Sequence, residues 1–397
     1  MSRKTIGNVI MFTLWLPFLA GCIDTFFDVT PFTNKIIQIV WFLSLYCGCK
    51  LFLGYSNPPV IRKTFLFAGV LVIYGTFHLL FGEALSTDTR IVPTTEYLVA
   101  IVNSLFPIFF VYYYSKSGYI TEECIRKWSL LFVAAVLFSY PNSIAHIRTI
   151  TDAEQFTNNI GYKFLRCIPF LLFWYKKPII QYAMFLVLGL FIMNSLKRGP
   201  ILIWLILFGI LILQNYKSFN HISAKQKSLV IILPFLAIAF GIYYFNNYLE
   251  DNTGFMNRLN STLEGDDSGR GDIYNDILNV FISDNNIIHY VFGNGAESTI
   301  KLFQIHAHND WLELLINQGL IGLFCYFSYY KSFWNQIKKS TDILGRNLLV
   351  NVFIMILITS VFSMSYMAYD TSIHIVLGYA IYKSVNPSEI TNQNEHS

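Results

Sequence analysis

The feature that most limits how this chain can fold is a repeated series of long apolar segments that contain hardly any charge. A helix that crosses the hydrocarbon core of a bilayer needs about 20 mostly apolar residues, and about twelve segments meet that requirement. They lie near residues 6–22, 35–53, 64–82, 96–114, 128–145, 160–175, 179–195, 199–215, 228–248, 311–330, 347–366 and 369–383. We therefore expect an all-α polytopic membrane protein that forms a single transmembrane domain over residues 1–397.

Composition excludes the main alternatives to a membrane protein. Only 13% of the residues are charged, whereas a soluble domain carries about 25%, so the chain cannot cover a water-facing surface of its size. Aromatic residues make up 17% of the chain, which argues against disorder. Six cysteines in 397 residues, with no C-x-x-C spacing, predict neither a disulfide framework nor a cysteine-ligated metal.

The positions of lysine and arginine predict the orientation in the membrane. Most of them fall between spans on one side, which the positive-inside rule assigns to the cytoplasm, and most acidic residues fall on the other. Both termini are therefore expected in the cytoplasm. The first 22 residues also resemble a lipoprotein signal that ends at Cys22. We favour a first membrane span there and leave lipidation of Cys22 open.

The longest segment outside the predicted spans is the outer loop at residues 249–310. Residues 272–281 place apolar side chains at helical spacing, and glycines at 293 and 295 predict a turn after that helix. We expect a small ordered cap between the ninth and tenth spans. Its acidic balance argues against a nucleic-acid partner.

Two groups of residues in this loop are candidates for chemistry. Arg270 lies in Ser268–Asp272 (SGRGD), where small neighbours leave room for an anion, although pairing with nearby acids is an equally good interpretation. His306 and His308 precede the tenth span, and a histidine near its ordinary pKa of about 6.5 can accept a proton. A His-x-His pair can also be half of a zinc site, but no further ligands follow at suitable spacing, so we expect no metal. Asp310 and Glu313 are predicted to form a capping box for the helix that follows.

Cations also lie against the positive-inside rule elsewhere. Arg198 is in the short outer turn before the eighth span, and Arg166 is in the outer half of the sixth. Intramembrane cations are costly and are functional candidates by default, although either side chain could instead reach lipid phosphates. Arginine suits phosphate and diphosphate oxygens, so a substrate with a diphosphate and a lipid tail would fit these residues.

Three motifs carry a family resemblance. They are His306–Leu315 (HAHNDWLELL) followed by Gln318–Leu323 (QGLIGL), Gly269–Tyr274 (GRGDIY) and Ser195–Gly199 (SLKRG). Together they resemble the signature of the O-antigen polymerase and O-antigen ligase superfamily. The resemblance implies a C-type glycosyltransferase-like fold with about twelve transmembrane helices, set in the bacterial inner membrane with its active site in the periplasm.

The resemblance also implies a substrate and a set of roles. The donor would be an undecaprenyl-diphosphate-linked oligosaccharide in the membrane lipid, no cofactor would be needed, and a chain-length regulator protein is a possible partner. His308 would act on the acceptor hydroxyl, and Arg270 and Arg198 on the departing diphosphate. Arg166 has no counterpart in the three motifs and is added as a further diphosphate ligand from its charge alone. The secondary candidates are His306, Asn309 and Arg258, the last of which lies upstream of Gly269 in the same loop.

Three functions remain open at this point. We favour a polymerase over a ligase, because an acidic cap suits a plain glycan acceptor better than the phosphorylated lipid A-core. A transporter or flippase of the same lipid-linked glycan is the third reading. Transporters usually show related halves and midplane polar sites, whereas this sequence has no internal repeat and its polar candidates cluster at the outer face.

Overall fold

A computed structural model describes residues 2–23, 31–54, 57–81, 85–87, 90–92, 94–150, 160–195, 197–218, 228, 232, 270–363, 365–366 and 371–385. The helices before the long outer loop are α1 (Arg3–Ile23), α2 (Pro31–Leu53), α3 (Pro59–Phe81), α4 (Thr94–Leu105), α5 (Pro107–Lys116), α6 (Glu122–Ile150), α7 (Ile160–Leu165), α8 (Ile168–Leu171), α9 (Pro178–Asn194) and α10 (Arg198–Ser218). Those that follow are α11 (Arg270–Ser283), α12 (Ile287–Phe292), α13 (Ser298–Phe303), α14 (Asp310–Lys339), α15 (Ile343–Phe362) and α16 (Thr371–Val385).

The all-helical expectation is met throughout these ranges apart from one small hairpin. Strands β1 (Leu85–Thr87) and β2 (Arg90–Val92) pair antiparallel, with Ser86 opposite Ile91. A 3₁₀ turn, Leu172–Trp174, also follows α8 directly. The described part of the chain is therefore helical in every element longer than three residues.

Six helices within the described ranges are long and apolar enough to cross a bilayer, so the chain is a membrane protein. They are Pro59–Phe81, Tyr97–Lys116, Glu122–Pro141, Arg198–Asn215, Asp310–Lys339 and Ile343–Phe362, and two shorter apolar helices are Gln38–Leu53 and Pro178–Asn194. The total of about twelve spans stays a prediction. The ninth predicted span, 228–248, lies outside the described residues except for positions 228 and 232.

Several predicted spans differ from the observed helices. The fourth, 96–114, is divided at Phe106 into α4 and α5, and the fifth, 128–145, lies within the longer α6. The sixth, 160–175, was expected to be continuous but is divided into α7, α8 and the 3₁₀ turn, with a turn at Arg166–Cys167 between the first two. Pro169 lacks a backbone N–H and cannot donate to the preceding turn, which is consistent with the break before it. The tenth, 311–330, is longer than expected because α14 continues to Lys339.

The chain separates into two compact units, the first of which comprises Met1–Asn34 and Ile120–Asp266. In this unit α1 packs against α6, and α9 packs against α7 and α10. Trp15 lies 4.4 Å from Phe132 and 5.3 Å from Phe170, measured between ring centroids. Large aromatic rings thus fill the space between α1, α6 and α8, as expected for helices that bury much of their surface.

The second unit comprises Lys35–Tyr119 and Asp267–Ser397. Here α14 packs against α3 and α15, α16 packs against α5 and α15, and the short helices α11 to α13 pack on α14. Phe67 of α3 lies 4.9 Å from Tyr326 and 5.6 Å from Tyr329 of α14. Helix α14 therefore joins α3, α15 and the short helices α11 to α13 in this unit.

Candidate functional site

Helix α14 is broken near its start, and the break receives a turn from the preceding segment. Gly319 has φ 62° and ψ −155° inside the helix, a backbone conformation that is open to glycine and costly for other residues. The interruption leaves the carbonyls of Ile316 and Asn317 without helical donors. The backbone N–H groups of Asn294 and Gly295 donate to them at 2.8 and 3.0 Å.

This arrangement brings two stretches of backbone unusually close. A Cβ atom at Gly319 would lie 2.5 Å from the nitrogen of Gly293, and one at Gly293 would lie 2.5 Å from the carbonyl carbon of Asn317. Gly293 itself has φ 72°. The turn predicted at positions 293 and 295 is confirmed, and the QGLIGL part of the histidine motif, Gln318–Leu323, contains the helix break that accommodates it.

The segment before α14 is held by one buried carboxylate. Glu313 is 0% exposed and accepts hydrogen bonds from the Thr299 hydroxyl, the Ala307 N–H at 2.8 Å and the Asn317 amide at 3.2 Å. His306 Nδ1 lies 3.2 Å from the same carboxylate. A buried carboxylate is costly unless such donors surround it, so Glu313 fixes the path of the chain from Thr299 to Ala307.

The capping box predicted for Asp310 and Glu313 is wrong. Asn309 is the N-cap of α14, and its side-chain oxygen accepts the N–H groups of Trp311 at 3.0 Å and Leu312 at 3.3 Å. The sequence pattern misled because Asn309 caps equally well, which moves both acids one position further into the helix. There Glu313 turns back to the preceding segment instead of to its own helix end.

Asp310 joins the start of α14 to the chain that follows α15. It is fully buried and accepts the Ser365 N–H at 2.9 Å and the Tyr326 hydroxyl at 2.6 Å. The Ser365 hydroxyl also contacts this carboxylate. A cavity of about 20 Å³ borders Tyr326 and Ser365, which is room for about one water molecule and not for a substrate.

Arg270 and Asn309 both contact the last turn of α15. The Arg270 guanidinium donates from Nη1 to the Phe362 carbonyl at 3.0 Å, and the Asn309 amide donates to the Val361 carbonyl at 3.2 Å. These carbonyls belong to consecutive residues, whose Cα atoms are about 3.8 Å apart. The structure therefore brings the arginine motif and the histidine motif to one helix end, where unpaired carbonyls favour cationic and amide donors.

Arg270 is the first residue of α11, and this helix confirms the one predicted over residues 272–281. Among the described residues no acidic side chain pairs with it, and its acidic neighbours Asp266 and Asp267 lie outside them. A guanidinium carries five N–H donors in a planar fork. One nitrogen is used by Phe362, so the remaining donors can meet the oxygens of an anion.

His308 has an exposed side chain and a left-handed backbone with φ 51°. It lies between two fixed points, since Ala307 is held by Glu313 and Asn309 by Val361. Positive φ is uncommon outside glycine and clusters at functional sites. The residues on both sides of His308 are therefore held in place, and its imidazole is exposed.

The connection between α11 and α12 is held by Asp284. This carboxylate accepts the backbone N–H of Asn286 at 2.8 Å and lies 2.6 Å from His289 Nδ1. These contacts, the backbone N–H first, hold the pKa of Asp284 below its usual range. The connection is therefore a defined turn rather than a loose linker.

Two contacts also join α3 to the last residue of α12 and to the segment that follows it. The Tyr74 hydroxyl donates to the Phe292 carbonyl at 2.6 Å, and His78 Nε2 lies 3.3 Å from the buried Glu297 carboxylate. The segment from Phe292 to Ala307 is therefore held from α3 on one side and from α14 on the other.

The remaining predicted cations lie in the first unit. Arg198 begins α10, and the adjacent Gly199 lies close to Tyr162, whose hydroxyl would be 2.7 Å from an added Cβ. Lys197 is 5.6 Å from the centre of the same tyrosine ring. Arg166 follows Tyr162 by one helical turn, with its N–H donating to the Tyr162 carbonyl at 3.0 Å. Tyr162 therefore links Arg166 with the turn that carries Arg198.

The predicted site residues thus fall into two groups. His306, His308, Asn309 and Arg270 belong to the second unit, and Arg166 and Arg198 to the first. Neither unit by itself unites all the predicted diphosphate ligands. Arg258 and residues 249–269 of the predicted cap lie outside the described residues. Within the part of the chain that is described, no three His, Cys, Asp or Glu side chains are grouped as a metal centre requires.

Comparison with known proteins bears on all three motifs. The model of the O-antigen ligase family matches residues 183–327, a stretch that includes Arg198, Arg270 and His308. The O-antigen polymerase of Salmonella muenchen is 28% identical over 205 residues, which cover 51% of this chain and 49% of the relative. The predicted resemblance to the O-antigen polymerase and ligase superfamily is confirmed. The chain spans about half the length of this superfamily relative, so the relative's whole activity does not transfer directly.

Sequence reasoning missed the structural role of Glu313 and its partners. Thr299 carried no signal, because it lies 14 residues before Glu313 across an irregular segment. Asn317 lies one helical turn after Glu313, a spacing at which side chains of one helix meet. The end of α15, where Arg270 and Asn309 meet, was likewise invisible, since backbone carbonyls have no sequence signature. The sequence did indicate that two backbone segments approach closely, because QGLIGL contains Gly319 and Gly322 and GNG contains Gly293 and Gly295.

Proposed function

We propose that this protein is an O-antigen polymerase, a glycosyltransferase that uses an undecaprenyl-diphosphate-linked glycan as its donor. The acceptor is the sugar hydroxyl of another lipid-linked repeat unit. We place the reaction at the periplasmic face of the bacterial inner membrane, with about twelve spans in a C-type glycosyltransferase-like fold and both termini in the cytoplasm. The observation that carries the proposal is the meeting of Arg270 and the His308–Asn309 segment at the end of α15.

The reaction needs few groups because its leaving group is already good. The acceptor hydroxyl oxygen forms a bond to the anomeric carbon of the donor glycan, and the bond from that carbon to the diphosphate oxygen breaks. The diphosphate departs with the electron pair and stays attached to its lipid. The hydroxyl proton passes to a base, so a base and a cation for the diphosphate are the two contributions that the protein must make.

His308 suits the role of base or orienting group. Its side chain is exposed and its backbone is anchored by Ala307 and Asn309, so the imidazole can be held in line with an approaching hydroxyl. Such a group contributes about 10²–10⁴-fold. His306 is paired with Glu313 and is therefore better suited to support the segment than to take the proton.

Arg270 suits the departing diphosphate. Its guanidinium is oriented by the Phe362 carbonyl and keeps donors for phosphate oxygens. Arg198 at the start of α10 joins a fixed cation to a helix N-terminus, which favours anions. We assign Arg198, with Arg166 near it, to the diphosphate or to the lipid-phosphate end of the donor.

A ligase is the second candidate, because the family model that matches residues 183–327 is that of the O-antigen ligases. The donor would be the same and the acceptor would be lipid A-core. A lipopolysaccharide gel of a deletion strain separates the two. Core with a single repeat unit indicates a polymerase, whereas core alone with lipid-linked polymer accumulating indicates a ligase, and normal chains would refute both.

The site itself is tested by complementing that strain with variants. His308→Ala and Arg270→Ala should each reduce long-chain polysaccharide at least about 100-fold while the protein remains inserted and abundant. Arg346→Ala is the matched control, since its exposed side chain lies elsewhere in the second unit. Normal chain length in either site variant would refute the assignment.

Arg198 is tested by exchanging the two cations of its turn. Arg198→Lys should be strongly impaired, because an ammonium cannot replace a bidentate fork. Lys197→Arg should be tolerated, because a guanidinium also stacks on the Tyr162 ring. If both variants kept normal activity, Arg198 would be assigned to a contact with bulk lipid and not to the donor diphosphate.

A further inference from the structure

The end of α14 farthest from His308 forms a cleft with the start of α3. Its cavity volume is about 350 Å³, within the range of small-molecule sites. Three lysines line it, Lys63 from α3 and Lys331 and Lys339 from α14, and no acidic side chain does. Since α14 rises about 1.5 Å per residue, the lysines of this cleft are roughly 30–45 Å along the helix from the histidine motif.

The charges of these lysines are not neutralised within the described chain. All three side chains are exposed, and no carboxylate of the described residues pairs with any of them. Lys127, by contrast, lies 2.6 Å from Glu123. Like charges without counterions repel one another, so an anion in this cleft would lower the mutual repulsion of the three lysines.

The cleft also has an apolar wall on the same side of α14. Phe324 is 70% exposed and Phe327 is 57% exposed, and both line the cavity. They precede Lys331 by two turns and one turn, so the three side chains share one helix face. Ser328 lines the cavity between them and adds a hydroxyl donor. An apolar stretch that leads into a basic end is complementary to an amphiphile.

We propose that this cleft binds an anionic glycerophospholipid of the surrounding membrane. The phosphate lies among Lys63, Lys331 and Lys339, and an acyl chain lies along Phe324 and Phe327. Basic pockets between transmembrane helices are known to receive anionic lipid head groups, and Lys is an effective point-charge ligand of phosphate. The ligand is distinct from a glycan donor bound near His308, so this site does not depend on the proposed function.

Native mass spectrometry of the purified full-length protein tests the proposal. The wild type is titrated with phosphatidylglycerol and, separately, with phosphatidylcholine. We expect retention of phosphatidylglycerol, with an apparent Kd about 100-fold weaker in the Lys63→Gln, Lys331→Gln, Lys339→Gln triple variant. Each single variant should weaken binding about 5-fold, which preserves the test if the triple variant does not fold.

Lys338→Gln is the matched control. Lys338 is next to Lys339 at the same helix end, but it stacks on Trp334 at 5.2 Å and does not line the cavity. Its removal should change the Kd less than 2-fold. A Kd that rises equally in the control and in the triple variant would show general attraction to the helix end and would overturn the proposal.

Three further outcomes would overturn it. Phosphatidylcholine could be retained as strongly as phosphatidylglycerol, which would remove the role of net charge. Inorganic phosphate at millimolar concentration could displace the lipid fully, which would assign the lysines to a free anion. Cross-links from Lys331 or Lys339 to another segment of the chain, with no lipid retained, would assign the cleft to the protein itself.

Discussion

The two ends of helix α14 differ in the burial and pairing of their charged side chains. At the first end Asp310 and Glu313 are fully buried, and hydrogen-bond donors from several segments surround each carboxylate. At the last end Lys331 and Lys339 are exposed, and no carboxylate of the described residues pairs with them. The protein's own hydrogen bonds therefore hold the charged groups at the first end, whereas the lysines at the last end face the solvent and membrane around the protein.

This difference teaches where sensitivity to substitution should lie. A buried carboxylate with a complete set of donors leaves those donors unsatisfied when it is changed, which costs about 1–3 kcal/mol or more for charged groups. An exposed lysine loses little when its charge is removed, because water already solvates it. Changes of equal chemical size should thus have unequal effects at the two ends.

The largest effect is expected at the helix break. Gly319→Ala places a Cβ 2.5 Å from the Gly293 nitrogen and 2.7 Å from the Tyr290 carbonyl oxygen, and it does so at φ 62°. Because both neighbours are backbone, we expect a loss of at least about 3 kcal/mol. Thermal unfolding in detergent measures it. Gly69→Ala is the control, since nothing lies within 4 Å of its added Cβ, and a similar loss there would contradict the explanation.

Glu313→Gln should come next. The amide keeps the volume but presents N–H donors to the Ala307 N–H or the Thr299 hydroxyl, so we expect about 2–3 kcal/mol of destabilisation. Activity per inserted molecule should also fall, because the segment that carries His308 loses its anchor. Asp276→Asn, an exposed acid of α11, should change stability by less than about 0.5 kcal/mol. An active, fully stable Glu313→Gln protein would break the comparison.

Asn309→Ala should have an intermediate effect of about 1–2 kcal/mol. It removes both the N-cap of α14 and the amide donor to Val361. Asn309→Ser separates these roles, because serine restores the cap but does not carry an amide to the end of α15. We expect it to recover about half of the lost stability. Full recovery would show that the contact with Val361 contributes nothing to stability.

The smallest effect is expected at the lysine end. Replacing Lys63, Lys331 and Lys339 together by glutamine should change the unfolding free energy by less than about 0.5 kcal/mol in neutral detergent. The same variant should lose the extra thermal stability that anionic lipid gives to the wild type. A loss above 2 kcal/mol without lipid would mean that these lysines serve the fold and would erase the contrast between the two ends.

Much of this architecture follows from patterns in the chain. Long apolar runs predicted the helices well, because burial in a bilayer demands them, and Gly293 and Gly295 predicted a turn. The turn at Arg166–Cys167 was missed because mean apolarity does not report local breaks. The capping box failed because Asn309, Asp310 and Glu313 satisfy competing capping rules, and only the packing of Thr299 and Ala307 decides between them.

The site was predictable as a set of residues but not as an arrangement. The motifs placed Arg270 and His308 in one loop, and the structure adds that both motifs contact the same end of α15. This arrangement depends on backbone carbonyls at the end of α15, which lie far along the chain from both motifs, so the spacing of residues in the sequence does not predict it. The relation of this group to Arg198 involves both units and stays a prediction.

The turn at 293–295 fills the interruption at Gly319, and this has a consequence for how such proteins can diversify. The backbone of each segment completes the hydrogen bonding of the other, so neither is a free-standing module. If residues 270–309 were exchanged between relatives, carbonyls of the recipient's α14 would lose their hydrogen-bond donors unless the first three turns of α14 were exchanged as well. Residues 270–309 and the first three turns of α14 are therefore expected to be inherited together.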